Sequence, residues 1–137
     1  PVIDAFDLNH RVALVAGNAG GYLPALSKIL AEAGAQVLVM SSSSRTVHDA
    51  LTATRSWDPD ASGVVVDTTS QQEIDQAVTN LVSQKGQIEI LITSFRMEHS
   101  KPMLELPPDE WREVFRVTGY TGDYYFTTAK SLHLIKE

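Results

Sequence analysis

Four short apolar runs punctuate the chain, and segments with helical spacing separate them. The runs are Val12-Ala13-Leu14-Val15-Ala16, Val37-Leu38-Val39-Met40, Val64-Val65-Val66, and Ile88 with Ile90-Leu91-Ile92. The first three do not alternate with polar residues, as strands with one wet face do. Each therefore predicts a strand buried on both faces, the mark of a parallel sheet. Strands alternating with helices imply right-handed crossovers and an α/β domain.

The helical segments carry their own signals. Leu23, Leu26, Ile29, Leu30 and Ala33 recur at helical spacing, with Pro24 in the first turn and Gly34 as the stop. A serine run over 41–44 ends the second strand, and a helix is expected over 46–55. After a turn-rich loop and the third strand, Thr69 or Ser70 caps a helix that turns Ile74, Ala77, Val78 and Leu81 inward and stops at Gly86. Further helices are expected over 108–116 and 120–136. The order is β-α-β-α-β-α-β-α-α. It predicts a Rossmann-like parallel sheet flanked by helices in three layers, one domain over 1–137, with no repeat or linker.

Composition excludes several function classes. The chain is 43% hydrophobic and 20% charged, ordinary for a globular protein and far from disordered compositions. Its net charge of −6 offers no basic stripe for nucleic acid. Without cysteine there is no disulfide, thiolate nucleophile or thiolate metal site. His10, His48, His99 and His133 lack metal-ligand spacing. No apolar stretch reaches membrane length and no leader is visible, so the expected compartment is the cytoplasm, with no membrane partner. No Gly-x-Ser-x-Gly elbow and no P-loop lysine follows the first strand, against a hydrolase or a nucleoside triphosphatase.

The segment Gly17-Asn18-Ala19-Gly20-Gly21 joins the first strand to the first helix. In this architecture such a turn is where a dinucleotide binds. Glycines let the backbone approach a pyrophosphate, and the helix amino end offers free N–H groups and partial positive charge. Gly17, Asn18, Gly20, Gly21 and Tyr22 are the candidate residues. The alternative is a turn that only shapes the chain.

From Phe6 to Gly17 the sequence resembles the opening of a short-chain dehydrogenase/reductase. That family's turn reads TGxxxGxG. Gly17 and Gly21 match its first two glycines, Ala16 replaces the threonine and Leu23 stands at the third glycine. Gly34-Ala35-Gln36-Val37, the run over 88–92 and the segment over 101–117 with Trp111 are similar to later parts of the family pattern. The resemblance implies a nicotinamide cofactor. Ser41, Ser42 and Arg45 end the second strand where an acid would hold a ribose 2′-hydroxyl, so NADP is favoured over NAD, and binding of no cofactor stays as the alternative. Asp67 resembles the aspartate that contacts the adenine ring; capping a turn is its other reading.

The pattern also breaks. Thr93-Ser94-Phe95-Arg96 stands where the family has Asn-Asn-Ala-Gly, leaving Thr93 as the candidate contact there. Thr118 replaces the asparagine of the catalytic set. The catalytic Ser and Tyr-x-x-x-Lys fall beyond Glu137. Phe126 and Lys130 have the right spacing, but Phe has no proton to give, and Tyr124 and Tyr125 are out of step with Lys130. No catalytic residue is assigned, and the domain is expected to be truncated. Two readings follow. One is an NAD(P)-dependent oxidoreductase acting on a hydroxyl or carbonyl group, with this chain lacking the Tyr-x-x-x-Lys half. The other is a catalytically inactive structural subunit beside an active dehydrogenase chain. A cofactor-sensing regulator is a weaker third. Either main reading expects homo- or hetero-oligomers with related chains, through the apolar terminal helix with Tyr124, Tyr125, Phe126, Leu132 and Leu134.

Overall fold

The computed structural model describes residues 4–18, 21–95 and 102–116. Its centre is a four-stranded sheet in the order β3-β2-β1-β4, built from β1 (Val12–Gly17), β2 (Gln36–Ser41), β3 (Ser62–Val65) and β4 (Ile90–Ser94). Every pairing is parallel: β1 lies between β2 and β4, with Leu14 level with Leu38 on one side and Leu91 on the other. β1 is buried along its whole length, as an uninterrupted apolar run requires.

The helices are α1 (Tyr22–Glu32), α2 (Ser44–Thr54), α3 (Gln71–Lys85) and α4 (Pro108–Phe115). Strand side chains alternate between two cores. Val15, Val37 and Val39 pack with Leu23 and Ala31 of α1 and Val47, Ala50 and Leu51 of α2. Leu14, Ala16, Leu38 and Met40 pack with Ile74, Val78 and Leu81 of α3. The chain thus runs outward from β1 to β3 with helices on one face, then crosses the other face through α3 to place β4 beside β1. That reversal makes a switch point between β1 and β4, where such sheets open a crevice at the carboxyl ends of the strands.

Most boundaries follow local chemistry, and they correct several expected ones. α2 begins two residues earlier than expected because the Ser43 hydroxyl accepts the Thr46 N–H (3.2 Å) and caps it. α3 is capped by Ser70, whose hydroxyl accepts the Glu73 N–H, and its expected inner face is the buried one. It ends at Gly86, with φ of 92°. β3 starts at Ser62 rather than Val64; Val66 lies beyond the strand yet donates to the Ser41 carbonyl (3.0 Å). α1 buries Leu23, Ser27 and Ala31 completely or nearly so, while Ile29 is 61% exposed. Of the expected apolar set Leu23 is core, Leu26 and Leu30 pack against it and Ile29 points outward, while Ser27 is buried without an apolar signal.

Two carboxylates fasten loops to the sheet. Buried Asp58 accepts the Val37 N–H (2.7 Å) through Oδ2, tying the loop after α2 to the start of β2. Glu89 accepts the Val12 N–H (2.6 Å) through Oε2 and donates its own N–H to the Val12 carbonyl, joining the amino ends of β1 and β4. α4 follows a short 3-10 turn (Met103–Glu105) and buries no residue completely; Trp111 and Phe115 stack on it at 5.6 Å. The helix expected over 120–136 lies outside the described residues. Among the described residues no helix is long and apolar enough to cross a membrane.

Candidate functional site

The carboxyl ends of β1 and β4 meet at Gly17. It pairs with Ser94, and a Cβ there would press on the Ser94 carbonyl and lie 2.6 Å from Leu23 Cδ1. The next residue, Asn18, donates its N–H to the same Ser94 carbonyl (3.2 Å). Gly17 is therefore glycine because strand, strand and helix converge on it. Leu23, standing at the family's third glycine, turns inward and is fully buried. It fills the space that Gly17 leaves, and it does not crowd the mouth of the crevice.

Gly21 is the N-cap of α1 and, being glycine, brings no side chain of its own to cap the helix. A Cβ on Gly21 would meet nothing within 4 Å. Among the described residues, α1 is thus open to space at Gly21, although Pro24 removes one N–H of its first turn. Tyr22 is exposed beside it. Ala19 and Gly20 lie outside the described residues.

At the end of β2, Ser41 is fully buried and its hydroxyl accepts the Ser43 N–H (3.2 Å). It serves the turn into α2, and only Ser42 and Arg45 of that predicted group are exposed. Arg45 lies in the first turn of α2, with Nε 3.8 Å from Asp49 Oδ2. An exposed pair of that length is weak and leaves the guanidinium available to an anion. At the end of β3, exposed Asp67 accepts both the N–H (2.8 Å) and the hydroxyl (2.7 Å) of Thr69 through Oδ1. These bonds hold its carboxyl below the usual range, and the charge of Arg116 adds to the effect. Glu73 accepts the Asp67 N–H (2.8 Å), so the loop is organised before any ligand arrives. Thr93 is exposed on β4 opposite Ala16, and Phe95 turns into the α3-side core.

The structure thus gathers Gly17, Asn18, Gly21, Tyr22, Ser42, Arg45, Asp67 and Thr93 along one edge of the sheet. Sequence reading missed Arg116, which reaches the field of Asp67 from the end of α4. Nothing local signals it, because it depends on where α4 docks. Thr118, Tyr124, Tyr125, Phe126 and Lys130 lie outside the described residues. Among the described residues no group of three His, Asp or Glu side chains could hold a metal. A second concavity, an open groove of about 530 Å³ bounded by Phe6, Asn9, Ile29, Glu32 and Gly34, lies at the amino edge of the sheet. Ligands in open α/β sheets sit at the other edge.

A family model for short chain dehydrogenases matches residues 11–136. The chain belongs to the short-chain dehydrogenase family. It is 30% identical over 113 residues to a 2-dehydro-3-deoxy-D-gluconate 5-dehydrogenase of Formosa agariphila, covering 82% of this chain and 43% of that protein. It is 25% identical over 133 residues to a 5-keto-D-gluconate 5-reductase of Escherichia coli, covering 97% of this chain and 52% of that protein. A short-chain type dehydrogenase/reductase from Mycobacterium marinum superposes with a TM-score of 0.84 at 23% identity, over 96% of this chain and 53% of that one. An NAD⁺-bound xylitol dehydrogenase gives 0.82 at 22%, over 90% and 48%. The structural likenesses show the fold. This short-chain dehydrogenase chain spans about half the length of the relatives it matches.

The crevice suits the nicotinamide dinucleotide of this family. Among the described residues, the open space over Gly21 at the amino end of α1 suits a pyrophosphate.

Proposed function

We propose that this chain is the dinucleotide-binding half of a short-chain dehydrogenase-type oxidoreductase. The single observation that carries the reading is the amino end of α1 at Gly21, open among the described residues, at the switch point between β1 and β4. The pyrophosphate lies across Gly17, Asn18, Gly20, Gly21 and Tyr22. Ser42 and Arg45 take a 2′-phosphate, which favours NADP over NAD. Asp67 and Thr93 flank the nucleoside. When bound, the cofactor supplies hydride chemistry at a hydroxyl or carbonyl carbon. This chain's residues bind and orient it, and the proton-transferring Tyr and its Lys belong to the part of the family pattern beyond residue 137. Calorimetric titration of the chain with NADP⁺ tests this. Saturable binding that is lost when Gly21 is changed to Asp supports it; no heat of binding contradicts it.

A second reading is a non-catalytic subunit paired with an active dehydrogenase chain. Phe95, bulky and buried where the family carries a small residue, favours it. So does Phe115 on α4, 61% exposed and stacked on half-buried Trp111. This reading predicts co-purification with a related chain and no cofactor affinity in isolation.

A further inference from the structure

We infer that Glu73 is a positioning residue for the nucleoside end of this site: its carboxylate holds the backbone of Asp67, and through it the carboxyl that faces the ligand. The inference rests on the dinucleotide reading above and adds a residue that acts on that ligand without touching it. It starts from a diverted helix cap. In a capping box the N-cap hydroxyl accepts the N–H three residues on, and the acid there reaches back to the N-cap's own N–H. Ser70 and Glu73 have that spacing, and the first half is present: the Ser70 hydroxyl accepts the Glu73 N–H (3.3 Å). The second half is replaced. The Ser70 N–H donates to the Asp67 carbonyl (3.0 Å), and Glu73 Oε2 reaches past it to accept the Asp67 N–H (2.8 Å).

The start of α3 thus grips Asp67 by both its N–H and its carbonyl. Its side chain is fixed as well, with Oδ1 accepting the N–H (2.8 Å) and the hydroxyl (2.7 Å) of Thr69. One residue earlier, the Val66 N–H donates to the Ser41 carbonyl at the end of β2 (3.0 Å). Val66 and Asp67 therefore bridge the sheet and α3, and Glu73 supplies one of the ties. A carboxylate has about four acceptor sites, so two bonds on Oδ1 leave exposed Asp67 able to take a donor from a ligand. The 6-amino group of a purine is such a donor. A charge-assisted bond is short and depends on geometry, and an acceptor fixed in advance loses less freedom on binding. Without Glu73 the Asp67 N–H turns to water, and the acceptor is held by its own local turn alone.

The test is calorimetric titration of the chain and three variants with NADP⁺ and with its hypoxanthine analogue, which turns the 6-amino donor into a carbonyl acceptor. Glu73 is exposed, so truncating it leaves the core intact. The parent chain should prefer NADP⁺ by about 10-fold. Glu73→Ala should narrow that preference to within about 3-fold, and Glu73→Gln, which keeps an acceptor for the Asp67 N–H, should retain it. Ser70→Ala weakens the start of α3 through its cap and should leave the preference in place. A role confined to helix stability predicts instead that Ser70→Ala and Glu73→Ala behave alike. Glu73→Ala with the parent's preference overturns the inference, as does its loss in Ser70→Ala or in Glu73→Gln. Equal affinity of the parent for the two ligands also overturns it, and leaves the dinucleotide reading standing. Absence of binding of either ligand to the parent overturns that reading, and this inference with it.

Discussion

At the scale of single residues, Gly17 shows how a motif position is set by packing as much as by a ligand. Its hydrogen faces the Ser94 carbonyl and a methyl of Leu23. Gly17→Ala should destabilise the chain by about 1–3 kcal/mol through overpacking, measured by urea unfolding. The reciprocal fit explains why Leu23 is tolerated at the family's third glycine: its side chain goes under the helix and leaves the mouth clear. Asp58 gives a second prediction. Asp58→Ala would leave the buried Val37 N–H without its acceptor, at a cost of about 1–3 kcal/mol by the same measurement. Neither role is visible in sequence. The paired acids Asp58 and Asp60 in a turn-rich loop read as solvated until the fold brings β2 beside Asp58.

Among elements, the amino ends of the helices separate structure from function. α2 and α3 carry serine caps, and α1 does not. Gly21→Asp provides a sharp contrast. Its side chain would enter space that is open among the described residues, and the helical φ of -90° at Gly21 suits an L-residue, so thermal stability should hold. Its charge would stand where a pyrophosphate binds, so NADP⁺ affinity should fall by more than about 10-fold. A variant that binds NADP⁺ as well as the parent chain would contradict the placement of the site. Glu89 couples the amino ends of β1 and β4. Its carboxyl is held below the ordinary range chiefly by the Val12 N–H, with Gln87 and Arg11 assisting. A lowered folded pKa means that this contribution is complete above the unfolded value of about 4.3 and disappears as pH falls through the folded value. Glu89→Gln should therefore flatten the acid side of the stability–pH curve, as followed by urea midpoints across that window; an unchanged curve would contradict the coupling.

For the whole molecule, the alternation of strands and helices was legible because both faces of β1 and β2 are covered, leaving no polar residue in their apolar runs. β3 and β4 were less legible. β3 is short and half-exposed, so its start at Ser62 lacks an apolar signal, and Ile88 is core without being strand. The glycine turn was readable as a candidate site from context. Ser41 was not separable from Ser42, because only the fold shows which of two adjacent serines turns inward. The same layering predicts a gradient of local stability. Amides of β1 and β2 should exchange with deuterium most slowly, and those of β3 and β4 faster, since among the described residues these strands form the sheet's edges. Exchange from β3 as slow as from β1 would contradict the strand order.

The central claim is that the carboxyl edge of this sheet, at the amino end of α1, holds a dinucleotide. Amide chemical shifts recorded by nuclear magnetic resonance during titration with NADP⁺ test it residue by residue. The largest shifts should fall on Asn18, Gly21, Tyr22 and Leu23, with Ser42 and Arg45 following. Silence at those amides, or shifts centred on Asn9, Ile29 and Gly34 at the opposite edge, would contradict it.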